Sequence, residues 1–251
     1  MRGLTYVWCA MALALGSAAA ARAATITDNF GTSHDYYNGG FAGTIWTGLG
    51  GKTTCTGVDA NTTGAGRLSI VPSQASGMPS CPFLYTGVTG SGDFTALVQV
   101  ANGSGVNYAV TGLMVTDTSA ANFVAMSGTP CTSWVNWYYD NQTSTGTWGI
   151  MGASKWFRIE RASGVYSGSY SDNGTTWTTY STTSSPSALG GDVRVGLMYW
   201  NALPATTPTQ FDNFSLTTAA QTTEDIPEPC TLILLSAGLS GLVGRAWRRR
   251  K

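Results

Sequence analysis

Few groups in this 251-residue chain could do acid–base chemistry. Hydrolysis of a glycosidic bond needs two carboxyl groups flanking it, one of them held protonated. Glu160 is the first glutamate in the chain and lies between Arg158 and Arg161, so it reads as half of an ion pair. Asp192 and Asp212 could meet in space, but no closely spaced Glu and Asp occupy one strand. His34 is the sole histidine and has no G-x-S-x-G elbow to serve, which argues against a serine triad. One histidine and scattered cysteines give no zinc spacing, and no run of oxygen ligands marks a calcium loop. Gly50-Gly51-Lys52-Thr53 ends like a phosphate-binding loop, yet Trp46 stands where its first glycine belongs. It reads as a turn. No catalytic residue, metal or cofactor is expected.

Binding is better represented than catalysis. Residues 133–141 read Ser-Trp-Val-Asn-Trp-Tyr-Tyr-Asp-Asn. Sugars stack their apolar faces on aromatic rings, while Asn and Asp take hydrogen bonds from hydroxyls. In an extended strand Val135, Trp137 and Tyr139 share one face; Trp134, Asn136 and Tyr138 share the other. One face must pack into a core, and the other presents a ring beside Asn136 or Asp140. Either assignment is open at this level. The candidate ligand set is therefore Trp134, Asn136, Trp137, Tyr139 and Asp140. Trp200 and Asn201, ahead of a Pro-containing loop, form a second candidate. The competing reading makes all of these rings packing groups.

The elements that would position these residues have a period of two. In residues 94–100, Phe94, Ala96, Val98 and Val100 fall on one face. Residues 108–115, 122–126, 156–161, 165–171, 175–180, 193–200 and 211–216 are further β-branched or aromatic runs, separated by Gly-, Asn- and Ser-rich turns. Asp172-Asn173-Gly174 is a hairpin signal, because Asn and Gly tolerate positive φ. No segment has a convincing amphipathic helical pattern. The body is expected to be all-β, a sandwich or barrel.

Both chain ends read as addresses. Residues 1–23 carry an early Arg2, an apolar stretch and a closing Ala21-Arg22-Ala23, the pattern of a secretory signal peptide cut between Ala23 and Ala24. At the other end Pro227-Glu228-Pro229 precedes an apolar run, residues 230–244, then Arg245, Arg248, Arg249, Arg250 and Lys251. Fifteen helical residues span roughly 22 Å, short of a hydrocarbon core of about 30 Å. Extending to Trp247, with Arg245 snorkelling, makes a marginal span. The basic cluster keeps the C-terminus cytoplasmic and the body on the far side. Glycines 238, 241 and 244 weaken the helix, as suits a segment that is recognised and discarded.

This tail resembles the PEP-CTERM sorting signal of Gram-negative bacteria. The resemblance implies cutting near Pro227–Pro229 by an exosortase, a membrane cysteine transpeptidase, after transient anchoring in the inner membrane. It also implies a setting of exopolysaccharide production, with the body released or attached at the envelope surface. Two of thirteen basic residues lie in the leader and five in the tail, while one of thirteen acidic residues leaves with the tail. Residues 24–226 thus hold six basic and twelve acidic groups, a net charge of about −6. An acidic body argues against nucleic acid as partner. In an oxidising compartment a disulfide is favoured. Cys55–Cys81 is the expected bridge, worth roughly 3 kcal/mol for a loop of about 25 residues. Cys131 could be the partner of either.

A second resemblance begins at Trp156-Phe157-Arg158-Ile159-Glu160-Arg161. It continues through Tyr166-Ser167-Gly168-Ser169-Tyr170 and Asp172-Asn173-Gly174-Thr175-Thr176-Trp177. With Val193-Arg194-Val195-Gly196-Leu197 and Phe211-Asp212-Asn213-Phe214, these runs are similar to concanavalin A-like lectin/glucanase domains. The resemblance implies a jelly-roll sandwich of two antiparallel sheets over residues 24–216. A polar tether, 217–226, then leads to the sorting segment, 227–251. That fold hosts lectins, glycosidases and inert spacers, so function follows from the site. The expected function is an exported, exosortase-sorted surface or matrix protein that binds polysaccharide without cutting it. A structural or adhesive module and a secreted glycan-cleaving enzyme are the other two readings. Mass spectrometry of the mature protein is expected to find an N-terminus at Ala24 and no peptide beyond about Pro229; an intact Arg-rich tail would overturn the sorting reading.

Overall fold

The structure, a computed structural model, describes residues 23–78, 80–102, 109–129, 134–139, 142–147, 155–184, 189–201 and 207–219. Residues 1–22 of the expected 1–23 leader and the sorting segment, 227–251, lie outside the described residues, as do Cys131 and Asp140. Among the described residues no helix is long and apolar enough to cross a membrane.

The first strands are β1 (Ala24–Asp28), β2 (His34–Asp35), β3 (Gly48–Gly50), β4 (Cys55–Ala60), β5 (Leu68–Pro72) and β6 (Phe83–Val88). Then come β7 (Phe94–Asn102), β8 (Ala109–Asp117), β9 (Phe123–Thr129), β10 (Trp134–Tyr139) and β11 (Gln142–Thr147). The last are β12 (Lys155–Ala162), β13 (Val165–Ser171), β14 (Thr178–Ser184), β15 (Val193–Asn201) and β16 (Thr209–Thr218). They form two sheets. One runs β14-β13-β12-β7-β16-β5-β4-β2, with β1 also paired to β16; the other runs β11-β10-β9-β8-β15-β6-β3. The strand pairs in both sheets are antiparallel, including β1 with β16 and β15 with β8. The body is an all-β sandwich of two antiparallel sheets.

Alternation does what the period of two demands. Phe94, Ala96, Val98 and Val100 all enter the inter-sheet core, while Leu97 and Gln99 face outward. The facing sheet contributes Leu84, Leu113, Val115, Val124, Met126, Val195 and Leu197 to the same core. β8 and β9 are buried along their whole length, on both faces. That is why their sequences read as nearly continuous apolar or small-residue runs rather than clean alternation.

β16 contains a bulge. Asp212 pairs with Gln99 and Ser215 with Leu97, so Asn213 and Phe214 together oppose Val98. Asn213 takes the left-handed conformation, φ 51°, that lets the extra residue fit. The bulge shifts the alternation by one, so Phe211 and Phe214 both point inward. Phe214 meets Trp46 at 4.7 Å between ring centroids, and Trp46 Nε1 donates to Asp28 Oδ2 at 2.8 Å.

Local turns follow the side chains available. Gly51, φ 60°, opens the turn read from Gly50-Gly51-Lys52-Thr53, and an added Cβ there would lie 2.1 Å from the Cys81 carbonyl oxygen. Asp172-Asn173-Gly174 does turn the chain, but the connection is longer than a two-residue hairpin. Asn173 Oδ1 accepts from the backbone N–H of Thr175 and of Thr176, both at 2.9 Å. Those two residues are thereby withdrawn from the strand expected at 175–180, which starts instead at Thr178.

The expected Cys55–Cys81 bridge is not formed: both are free, buried thiols. Cys55 packs into the inter-sheet core, whereas Cys81 belongs to the apolar cluster on the other face of the seven-stranded sheet. Burial pushes the Cys55 thiol up to about 11, partly offset by Lys52, and the Cys81 thiol up to about 12. Both thiols therefore stay protonated and unreactive in the folded domain.

Arg161 is the largest buried cation in the sandwich, with 2% of its surface exposed. Its Nε donates to Gly92 O at 2.9 Å, Nη1 to Leu189 O at 3.2 Å and Gly191 O at 3.1 Å, and Nη2 to Gly90 O at 3.0 Å. The guanidinium also lies 4.8 Å from the centroid of the Phe94 ring. Tyr166 donates to Leu189 O at 2.9 Å. Arg161→Met is expected to destabilise the domain by roughly 3 kcal/mol or more, since each carbonyl left unpaired costs about 1–3 kcal/mol. The fall in urea midpoint measures it, and an unchanged midpoint would refute the role.

Candidate functional site

The strand carrying the candidate ligand residues is β10, whose sequence is aromatic on both faces. Its pairing with β9 sets Trp134 opposite Thr129, Asn136 opposite Ser127 and Tyr138 opposite Ala125. The structure thus chooses between the two faces left open by the sequence. Val135 and Trp137 are fully buried between the sheets, and Tyr139 packs against that core. An added Cβ at Gly168 of β13 would come 2.4 Å from the Trp137 ring, so the opposite sheet closes directly over it. Trp137 is a core ring, not a sugar platform.

The outer face of β10 is different. Trp134 and Tyr138 are half-buried, and Asn136 lies beneath them, 2% exposed, with its Nδ2 3.5 Å from Thr129 Oγ1. Trp200 joins them from β15, meeting Tyr138 edge-to-face at 6.5 Å between centroids. The two rings reach toward each other across β8 and β9. The floor under them is apolar: Val110, Met114, Ala125 and Met198 are all buried. Burial of Tyr138 raises its hydroxyl to about 12, so it is a neutral hydrogen-bonding group at any ordinary pH.

Toward β6, Tyr85 is half-buried with the Arg194 guanidinium 4.8 Å from its ring centroid, and Phe83 stacks beside it at 5.5 Å. Arg194 is the one charged side chain that the described strands set on this face; none of its residues in β6, β8, β9, β10 or β15 is Asp or Glu. The acids considered earlier are committed elsewhere. Glu160 forms an ion pair with Arg158 at 3.2 Å, as its sequence position implied. Asp192 accepts from Gly90 N at 2.6 Å and Asp212 from Asn213 N at 2.7 Å. Asp117 caps its own turn. Burial opposes its charge, but hydrogen bonds from Asn122, Ser119 and the Ala121 N–H outweigh that and hold its carboxyl below the usual range. His34 stacks on Tyr36 at 5.6 Å on the edge strand β2. Among the described residues no cluster of three or more His, Cys, Asp or Glu could hold a metal.

Of the expected set, then, Trp134 and Asn136 share an outward face, Trp137 and Tyr139 turn inward, and Asp140 lies outside the described residues. Ala23 and Ala24 are exposed at the start of β1. Tyr138, Tyr85 and Arg194 were not selected from sequence. Tyr138 carried a usable signal, its i+4 spacing from Trp134 on one strand face; Tyr85 and Arg194 come together only through the β15–β6 pairing.

No protein-family model and no curated protein matches the chain. Solved structures do. A functionally unknown protein from Saccharomyces cerevisiae is similar with a TM-score of 0.53 and 18% identity, over 61% of this chain and 88% of that one. The xylan beta-1,4-xylosidase from Bacillus halodurans C-125 is similar with a TM-score of 0.55 and 10% identity, over 76% of this chain and 38% of that one. The GH43 BlXynB protein from Bacillus licheniformis gives 0.54 and 12%, over 77% of this chain and 39% of that one. The chain thus spans about two-fifths of each Bacillus protein. At these identities the likeness is one of fold.

Truncating Trp137 tests the inward assignment. Trp137→Ala is expected to cost about 3–5 kcal/mol, as for other buried large-to-small changes, whereas Trp134→Ala costs less than half as much. Paired denaturant titrations measure both, and equal losses would contradict the placement of the two rings.

Proposed function

We propose that this is an exported surface or matrix protein whose sandwich binds a polysaccharide without cutting it. The observation that carries this reading is the outer face of the seven-stranded sheet. Half-buried rings of Trp134, Tyr138 and Trp200 stand there over an apolar floor beside Asn136, on a face to which the described residues of β6, β8, β9, β10 and β15 bring no carboxylate. Rings of this kind offer stacking surface, with the carboxamide of Asn136 buried beneath them. Cutting a glycosidic bond needs two flanking carboxyl groups, and the described residues of this face include none, which favours holding a glycan over cutting it.

The two-sheet fold is compatible with the concanavalin A-like jelly roll that the sequence resembles, and structures of similar fold include portions of carbohydrate-active proteins. Delivery rests on the sequence alone: a signal peptide ending at Ala23, and the Pro227-Glu228-Pro229 tail read by an exosortase in the inner membrane. One feature of the fold suits such a tethered domain. Ala24 pairs with Thr218, so the mature N-terminus and the start of the tether share one strand pair. The depth to which Met114, Phe123 and Met198 are buried favours a second reading, in which this face packs for stability and the protein is a structural module.

Affinity electrophoresis of the mature protein in gels containing neutral polysaccharides separates the two. Retardation is expected, and Trp134→Ala/Tyr138→Ala is expected to weaken it at least about ten-fold, or 1.4 kcal/mol, with an unchanged circular dichroism spectrum. No retardation by any polysaccharide would leave the structural reading.

A further inference from the structure

A second place on the sandwich has the make-up of a sugar site, and it lies on the opposite sheet. At the β16 bulge the outer face of the nine-stranded sheet opens into a groove of about 350 Å³, lined by Asp28, Asn29, Leu97, Trp156, Asn213 and Ser215 among others. That volume is at the lower end of small-ligand pockets, which run from about 300 Å³. Four adjacent strands contribute to it. Leu97 of β7 pairs with Ser215 of β16, and Ser215 pairs with Thr27 of β1. Trp156 stands on β12 opposite Gln99 of β7.

Each wall is held in place by contacts that leave it available. Gly174 packs on the Trp156 ring so closely that an added Cβ would lie 2.8 Å from it, which fixes the indole while its remaining surface lines the groove. Asn213 projects from the bulge in its left-handed conformation, and its Nδ2 donates to Gln99 Oε1 at 2.9 Å. Its carboxamide oxygen remains an acceptor. Asp28 is fixed by two donors, Phe30 N at 2.7 Å on Oδ1 and Trp46 Nε1 at 2.8 Å on Oδ2. A carboxylate has about four lone-pair directions, so further acceptor capacity is left for hydroxyl groups. Bulges commonly re-aim side chains in this way beside binding sites.

We infer that this groove is a second saccharide site, taking a neutral pyranose residue with Trp156 as its platform and Asp28, Asn29 and Asn213 as hydroxyl partners. The charge of the site selects against acidic sugars. Asp28 lies in the groove and Asp212 beside the bulge, on a body of net negative charge, and no Lys or Arg is among the described residues lining the groove. Combined with the proposed face on the other sheet, two sites on opposite sides would let one molecule bridge two polysaccharide chains. This last consequence rests on the function proposed above; the groove itself does not.

The test titrates the mature protein with xylohexaose, cellohexaose, mannohexaose and maltohexaose by isothermal calorimetry, with tetragalacturonate as the acidic control. Wild type, Trp134→Ala/Tyr138→Ala, Trp156→Ala and Asn213→Gly are compared. Asn213→Gly removes the amide yet keeps a residue that accepts positive φ, so it separates ligand contact from folding. At least one neutral probe is expected to bind the Trp134→Ala/Tyr138→Ala protein. That residual binding is expected to fall at least about ten-fold on adding Trp156→Ala or Asn213→Gly, with no binding of tetragalacturonate at the groove. Residual binding insensitive to both changes, or none after Trp134→Ala/Tyr138→Ala, overturns the second site and leaves the first standing. Binding lost only through Trp156→Ala and Asn213→Gly supports the groove and removes the other face. A wild-type protein that binds no neutral probe refutes the groove.

Discussion

A guanidinium buried without a carboxylate holds this sandwich together at one end. Arg161 belongs to β12 in the nine-stranded sheet, yet its donors go to carbonyls of Gly90 and Gly92, where the chain crosses from β6 to β7, and of Leu189 and Gly191, just before β15. Both segments lead into or out of the other sheet. Carbonyls at such crossings have no ladder to join, and burying them unpaired would be costly. A planar group with five donors reaches all four at once, one more than the three N–H groups of a lysine could serve. Neighbouring contacts extend the same fastening. Asp192 accepts from Gly90 N, and Asp93 accepts from Ser163 N at 2.8 Å.

Fixing the sheets in this way decides which rings are available. The inter-sheet space is filled from both sides, and Trp137 is locked against Gly168, where no larger residue would fit. The outer face of the seven-stranded sheet is also apolar at its centre, so its strands are buried on both faces. Among the described residues of this face, rings placed toward its margins, Trp134, Tyr138, Trp200 and Tyr85, keep part of their surface exposed. The nine-stranded sheet has a more polar exterior. There the β16 bulge breaks the flat surface and makes its groove.

Charge is handled locally. Glu160 and Arg158 neutralise each other, and Arg158 also lies 4.6 Å from the Trp177 ring centroid. Lys155, 2% exposed, is paired with the exposed carboxylate of Asp172. Asp35 and Asp117 are spent on turns; hydrogen bonds from the Asn38 side chain and backbone hold Asp35 below its usual range. The carboxylates of Asp35, Asp117, Asp172 and Glu160 are thus used in turns and ion pairs, and Asp59, which faces Asp35 across β2 and β4, accepts from Thr63 N at 2.7 Å and from Thr63 Oγ1 at 2.8 Å.

The sequence by itself determined the class of structure, because a period of two survives wherever a strand has one buried face. β7, β12, β13 and β15 were legible for that reason, as was the ion-pair role of Glu160 from its flanking arginines. β4, β5 and β6 were not, being short and interrupted by Gly57, Pro72 and Gly87; β11, Gln-Thr-Ser-Thr-Gly-Thr, has no apolar residue to reveal it. In the candidate site the sequence supplied the rings but not their direction. Strand parity allows two answers for β10, and only the opposing sheet, closing on Trp137 through Gly168, selects one. Cysteine spacing likewise could not say that Cys55 and Cys81 lie on opposite sides of the seven-stranded sheet, one in the inter-sheet core and one beyond it. The groove at Asn213 was beyond reach, since a one-residue bulge leaves no periodic trace and its walls come from four strands brought together by pairing across the whole chain.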